Sequence, residues 1–444
     1  MPTTFSEAGT RHQLIEQLAE ARRRTDDVFA TVAVDSLYER PIAARHRIVF
    51  YIGHLEAFDW NLLHERVLGV KSFNPEFDRL FAFGIDPVGG GLPTDQPSEW
   101  PSIAAVREYV RKIRSVLDEK LPDALADSGS PGRDGFPLST LLNVAIEHRL
   151  MHAETLAYML HQLPLHRKTP APESPDPVTP PIDHRSLEIP AGRVTLGLAR
   201  GGDPFGWDNE FEAHAADVPA FLIDRYKVTN QQYLDFIAAG GYETESLWSA
   251  EDWSWRTKHG ISHPAFWKRN GDLWMYRTMF NDVPLPLDWP VYVSQAEAKA
   301  YARWAGKSLP TEAEWQRAAY SSASGDARPY PWGSEPPAPE FGNFDFYGWN
   351  PAPVNAFPAS ESAFGVQGMV GNGWEWTSTQ FAPFPGFKPF PFYLGYSADF
   401  FDGKHFVMKG GSARTAACML RPTFRNWFQA HYQFIYTGFR CVSR

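Results

Sequence analysis

Lys168-Thr-Pro-Ala-Pro-Glu-Ser-Pro-Asp-Pro-Val-Thr-Pro-Pro-Ile-Asp183 is the stretch on which the architecture turns. Pro170, Pro172, Pro175, Pro177, Pro180 and Pro181 lack the backbone N–H that a helix interior or a central strand needs. Such a run is a stiff extended spacer. The chain is therefore expected to divide into residues 1–166, a linker over 167–185, and a second domain over 186–444. Before the linker, apolar residues recur at helical spacing. Leu14, Leu18 and Ala21 do so within 11–34, and Val106, Val110, Ile113 and Leu117 within 103–121. With two further apolar-periodic stretches, 44–68 and 138–163, these read as a four-helix bundle.

After the linker the texture changes. Short β-like runs at 193–197, 221–226 and 406–409 alternate with stretches rich in Gly, Pro, Trp and Asn. Two helices stand out: 229–239, with Asn230 as a candidate cap, and 294–305, where Ser294 and Glu297 form a capping box. The second domain is expected to be α+β and irregular, and an aromatic content of 15% suggests that ring packing holds it.

A net charge of −10 excludes a surface that binds nucleic acid by neutralising phosphates. No apolar run approaches a membrane span, and the first residues lack the apolar stretch of a signal peptide, so the expected location is cytoplasmic, with no membrane partner. Two cysteines, Cys418 and Cys441, are too few for a disulfide framework or a zinc ribbon. Any metal therefore falls to other ligands.

The sharpest local pattern is Glu147-His148-Arg149-Leu150-Met151-His152. On a helix, residues four apart share a face, which lets two imidazoles reach one ion. The second helical stretch offers His46, His54 and His64 as a third ligand, and His54 lies among Val49, Phe50, Ile52 and Leu55, where an imidazole needs an internal partner. Spacing alone equally allows an accidental pair on a solvated face, with His54 hydrogen-bonded in the core. A zinc-protease reading fits poorly, because Arg149 stands where its general-base glutamate would be. Three neutral histidines suit Zn(II) or Fe(II), and ligand softness does not choose between them.

Five ordered stretches, Leu309-Pro-Thr-Glu-Ala-Glu-Trp315, Pro331-Trp332-Gly333, Gly371-Asn-Gly-Trp-Glu-Trp-Thr377, Lys409-Gly-Gly-Ser412 and Gly438-Phe-Arg440, resemble the motifs of the formylglycine-generating-enzyme-like fold, a C-type-lectin-like α+β domain. The cysteines do not form the closely spaced pair with which a true formylglycine-generating enzyme binds copper, and both read as ordinary buried or partly buried thiols. Joined to a DinB-like four-helix bundle with three histidines, the layout resembles the ergothioneine-biosynthesis sulfoxide synthases. Phe205-Gly-Trp-Asp-Asn-Glu210, Tyr396-Ser397, Phe400-Phe-Asp-Gly403 and Arg421-Pro-Thr-Phe-Arg-Asn-Trp427 extend the likeness over nearly the whole chain. The resemblance implies a non-haem Fe(II) held by His54, His148 and His152, which couples a sulfur donor to the imidazole C2 of hercynine with O2. It also implies that Asn426 and Trp427 hold hercynine. An aromatic face suits the quaternary ammonium of that betaine.

Departures bear on the donor. Family members that use γ-glutamylcysteine carry Asp directly after the Asn-Trp pair and Arg four residues on; here the residues are Phe428 and Tyr432. They also carry an Arg-rich bundle loop, where this chain has Leu80-Phe-Ala-Phe-Gly-Ile-Asp-Pro-Val-Gly-Gly-Gly91. A dipeptide with two carboxylates needs charged partners. An uncharged aromatic pocket with Asp86 nearby suits a neutral polyhydroxylated donor, and the pattern resembles the selenoneine synthase branch, which joins a selenosugar to hercynine. The alternatives are sulfoxide synthesis from a cysteine-based thiol, a zinc-dependent thiol transferase of the same bundle type, and a non-catalytic lectin-like binding protein. Met151 replaces the family's Gln before the second ligand histidine, and neither Tyr393 nor Tyr396 is assigned as the family's proton-donating tyrosine.

Overall fold

The computed structural model describes residues 7–82, 92–126, 135–171, 177, 179–201 and 204–444. Asp86 lies outside the described residues. The chain forms two compact units, Met1–Ala171 and Pro172–Arg444. Among the described residues no helix is long and apolar enough to cross a membrane.

The first unit contains α1 (Glu7–Ala30), α2 (Ile48–Leu63), α3 (Pro75–Leu80), α4 (Ile103–Ala126) and α5 (Leu138–His161). The four long helices pack as a bundle, α1 against α4 and α5, and α2 against the same two. On α4, Val106, Tyr109, Ile113, Leu117, Leu121 and Leu125 form one buried stripe, as an amphipathic helix with a single core face should. Tyr109 takes a core place there, and Val110 is only half-buried. By contrast, α2 and α5 are buried on nearly every side. The short α3 was not legible as an apolar period; Asn74 caps it by accepting from the Phe77 N–H, with Pro75 in its first turn.

Charges inside this bundle keep the helices in register. Arg149 on α5, fully buried, reaches Glu56 at 2.9 Å and Asp59 at 2.6 Å on α2. Arg114 on α4 reaches the same Glu56 at 2.7 Å and Asp26 on α1 at 2.7 Å. One connected set of ions thus touches all four long helices. Burial pushes the Glu56 carboxyl up, but Arg149 and Arg114 outweigh it and hold the pKa at about 2. Asp59 moves the other way, because burial exceeds the pull of Arg149 and the Glu56 charge adds to it.

The second unit opens with β1 (Ser186–Ile189), β2 (Gly192–Leu196), β3 (His214–Val218) and β4 (Phe221–Asp224), then α6 (Asn230–Ala238) and α7 (Ala250–His259). A meander of β5 (Trp267–Asn270), β6 (Leu273–Arg277) and β7 (Asp282–Pro284) precedes α8 (Gln295–Trp304) and α9 (Glu312–Tyr320). The chain ends with β8 (Trp374–Gln380), β9 (His405–Lys409), β10 (Asn426–Gln429), β11 (Thr437–Gly438) and β12 (Val442–Ser443). The four-stranded sheet runs β10-β9-β8-β11, with β10 antiparallel to β9 and Phe428 opposite Phe406.

Two local expectations need correction. Thr229, not Asn230, caps α6; Gln232 completes its capping box, and the Asn230 amide instead donates to the Pro286 carbonyl at 2.7 Å. Besides α6 and α8, the described residues hold α7, capped by Ser249, and α9, capped by Thr311 with Glu314 closing the box. The α9 box lies inside the Leu309–Trp315 motif, so its helical signal was present in the sequence.

Three of the five ordered motifs, 309–315, 371–377 and 438–440, meet at one buried carboxylate. Glu375 of β8 accepts from the Trp315 indole at 3.1 Å and from Arg440 at 2.7 and 2.8 Å, with Lys227 at 3.2 Å. Burial lowers the Lys227 pKa to about 8 although Glu375 opposes it. The motif spacing therefore records a structural knot, made of a buried charge that is fully paired.

Candidate metal centre and aromatic site

In the first unit, His54, His148 and His152 present nitrogen atoms all within 4.8 Å of one another, and each residue is buried. Among the described residues they form the one group with metal-ligand geometry. Helix periodicity places His148 and His152 on one face of α5, and the α2–α5 contact brings His54 opposite them. Their ring centroids lie 4.5 to 5.3 Å apart. His46 instead stacks on Phe50, and His64 stacks on Trp60 with its Nδ1 at the Val70 carbonyl.

The fit to a metal can be judged from the donor set. His54 Nδ1 lies 2.7 Å from the Phe81 carbonyl oxygen, and a carbonyl only accepts, so the proton is on Nδ1 and the Nε2 lone pair is available. His152 Nδ1 is buried and makes no hydrogen bond among the described residues, a cost that coordination would remove. Burial drives the His54 pKa down to about 4 and those of His148 and His152 well below the usual value; neighbouring imidazoles and Arg149 act in the same direction. Neutral imidazoles are the form that binds a metal. Phe58 stacks on His148 at 3.5 Å and Phe50 on His54 at 4.9 Å, so the site is walled by rings. The nearby carboxylates of Glu56 and Asp59 are occupied by Arg149. The residues present thus fit an ion bound by three neutral nitrogens.

Phe81 and Phe58 were not singled out from sequence, and Phe50 was named only as an apolar neighbour of His54. The cue for Phe81 was Gly53. A Cβ there would lie 2.5 Å from the Phe81 ring, so only glycine lets the ring press against α2 and bring its carbonyl to His54. Gly53→Ala is expected to displace Phe81 and weaken metal binding about 10–100-fold, the usual cost of losing a partner behind a ligand histidine. Competition with a chelator measures this, and parent-like affinity would show that the Phe81 bond is dispensable.

In the second unit, Trp427 on β10 stacks parallel to Phe381 at 4.1 Å and meets Tyr396 at 5.4 Å and Phe400 at 5.7 Å. Behind Phe381 lies the Arg425 guanidinium, 5.0 Å from its ring centroid and paired with Glu312 at 2.8 Å. One Trp427 face is therefore covered. Asn426 Oδ1 accepts from the Trp427 N–H at 2.8 Å. Strand alternation puts Asn426 and Phe428 on one face and Trp427 on the other. Phe428 packs with Tyr432 at 5.0 Å, and Tyr432 with Phe434 at 5.7 Å. Of the two candidate phenols, Tyr396 is the one that meets Trp427, and it stacks on Trp207 at 4.0 Å. Ser397 donates to Asp208, whose carboxyl is pushed up to about 6 by burial. Cys418 is exposed, contrary to the expectation of a buried or partly buried thiol; Cys441 is buried, and neither is in a disulfide.

Residues 17–156 match the DinB superfamily, and residues 174–444 match the sulfatase-modifying factor enzyme 1-like domain. Over 454 residues the chain is 35% identical to the hercynine oxygenase of Mycolicibacterium smegmatis, covering 97% of this chain and 98% of that protein. The chain belongs to the hercynine oxygenase family. It is also 40% identical over 345 residues to the hercynine oxygenase of Mycobacterium tuberculosis, covering 76% of this chain and 77% of that one. Ergothioneine biosynthesis protein 1 of Neurospora crassa is 27% identical, with 92% of this chain matching 55% of that protein. For a hercynine oxygenase family member, a buried group of three histidines is consistent with a metal centre, and the bundle and the lectin-like domain are the two parts of its expected fold.

Proposed function

We propose that the chain couples a sulfur donor to the imidazole C2 of hercynine in an O2-dependent reaction, with Fe(II) held by His54, His148 and His152. The observation that carries the reading is the buried set of three histidine nitrogens within 4.8 Å, in a chain whose family acts on hercynine. When bound, Fe(II) would supply open coordination positions and the redox capacity to join the substrates. With a thiol donor the balance closes: the S–H and the imidazole C–H give two hydrogens, one oxygen atom ends on sulfur, and the other leaves as water.

The remaining work belongs to side chains. Phe81 fixes the His54 tautomer through its carbonyl, and Phe50 and Phe58 exclude water from the ligand rings. Asn426 and Trp427 are the residues we assign to hercynine. Aromatic faces attract its quaternary ammonium, and Tyr396 and Phe400 beside Trp427 extend that surface.

A second reading concerns the donor. The ring pair of Phe428 and Tyr432 supports a neutral, hydroxyl-rich donor such as a selenosugar, because it offers no charge to a dipeptide carboxylate. Iron-loaded protein incubated with hercynine, O2 and either γ-glutamylcysteine, cysteine or the selenosugar separates the cases by product mass. Turnover of a cysteine-based thiol alone removes the selenium reading, turnover of the selenosugar alone removes the thiol reading, and no product with any donor leaves a binding protein.

A further inference from the structure

The segment that carries Phe428 and Tyr432 is tied to α7 and α8 at three successive points. The Ala430 carbonyl accepts from the Ala296 N–H at 3.1 Å. His431 Nε2 lies 2.9 Å from Asp252 Oδ1, and its ring stacks on Trp255 at 4.6 Å with planes 3° apart. Gln433 donates to the buried Glu297 at 3.1 Å. Asp252 is itself held: Ser249 Oγ caps its N–H at 3.1 Å, and Lys299 Nζ lies 3.0 Å from its second oxygen. The same ammonium sits 5.5 Å from the Phe406 ring, the cross-strand partner of Phe428.

An imidazole fixed on both its face and its edge leaves the backbone at 430–432 little freedom. The side chains on either side of it, Phe428 and Tyr432, are then preorganised instead of adapting to each ligand. Asp252 is only 4% exposed, so its bond to His431 is shielded from water.

We propose that His431 is a positioning residue for donor selection, holding Phe428 and Tyr432 in place through Asp252 and Trp255. The proposal rests on the reading that Phe428 and Tyr432 face the donor. It assigns His431 no contact with substrate. What it controls is how closely the ring pair can discriminate between donors.

The test uses the full-length iron-loaded protein and two variants, His431→Ala and His431→Gln, with γ-glutamylcysteine, cysteine or the selenosugar as probe, whichever the parent turns over. In His431→Ala, amide exchange across 428–434 should accelerate about tenfold or more, and the KM for the donor should rise about tenfold, the scale of one lost bond to a charged group. The KM for hercynine and kcat should stay within about twofold. His431→Gln, whose amide can donate to the same Asp252 oxygen, should return most of the loss. Unchanged exchange in His431→Ala overturns the clamp. Faster exchange with both KM values and kcat moving together shows a structural role only and overturns the assignment to donor selection. Phe428→Asp and Tyr432→Arg keep the two readings apart: if they also leave the donor KM and donor choice unchanged, or if the parent turns over none of the three probes, the underlying reading of the donor site fails, while the exchange result still decides the clamp.

Discussion

His148→Ala and His152→Ala are each expected to reduce bound iron from about one per chain to less than about a tenth of that, and to abolish product formation with hercynine. The physical reason is the donor count. The site has three neutral nitrogens, no carboxylate among the described residues joins them, and Glu56 and Asp59 are already paired with Arg149. Removing one histidine leaves two ligands, and among the described residues no other His, Cys, Asp or Glu joins the group. Each truncation also uncovers an aromatic neighbour, Phe58 beside His148 and Tyr51 beside His152. A moderate loss of stability should follow, of about 1–3 kcal/mol, without unfolding. Metal analysis of the purified variants beside their thermal melts separates the two effects, and variants that retain the parent's iron would remove these residues from the ligand set.

Arg149→Ala is expected to be the most destabilising single change in the first unit, by about 3–5 kcal/mol, because it leaves two carboxylates on α2 buried without their shared partner. That is a large fraction of an ordinary domain's stability. Arg149→Lys should recover only part of the loss. A point charge on a flexible stem does not reproduce the fork that spans Glu56, Asp59 and the Leu55 carbonyl. Denaturant unfolding measures both, and metal affinity should fall with them, since the same α2–α5 register brings His54 to His148 and His152. A cost under about 1 kcal/mol for Arg149→Ala would show that the ion set does not hold the register.

Much of this was legible in the linear chain for reasons of local geometry. Proline chemistry over 168–183 argued against a helix interior or a central strand there. A four-residue spacing put His148 and His152 on one helical face whatever the tertiary fold. The capping boxes at Ser294 and Thr311 carried their helix starts in four residues each. Asn230 misled because a polar residue inside the first turn resembles a cap until the preceding Thr229 is seen to close the box. The short α3, positioned by Asn74 and Pro75, has too few residues to show a period, yet it delivers the Phe81 carbonyl to His54.

What the sequence determined by itself was the division into a helical part and an irregular, ring-packed part, and the two histidines that share a turn of α5. Those properties depend on residues a few positions apart. The family resemblance named His54 as the third histidine, but the residues by themselves left His46, His54 and His64 open, because the choice depends on how α2 crosses α5. The crossing is tied by Arg149 to residues 93 and 90 positions away. Only the tertiary structure decided that Trp427 has one face covered by Phe381 and that His431 is locked to Asp252. Pairings between side chains so distant in the chain are set by packing and charge in three dimensions, and no local period or motif encodes them.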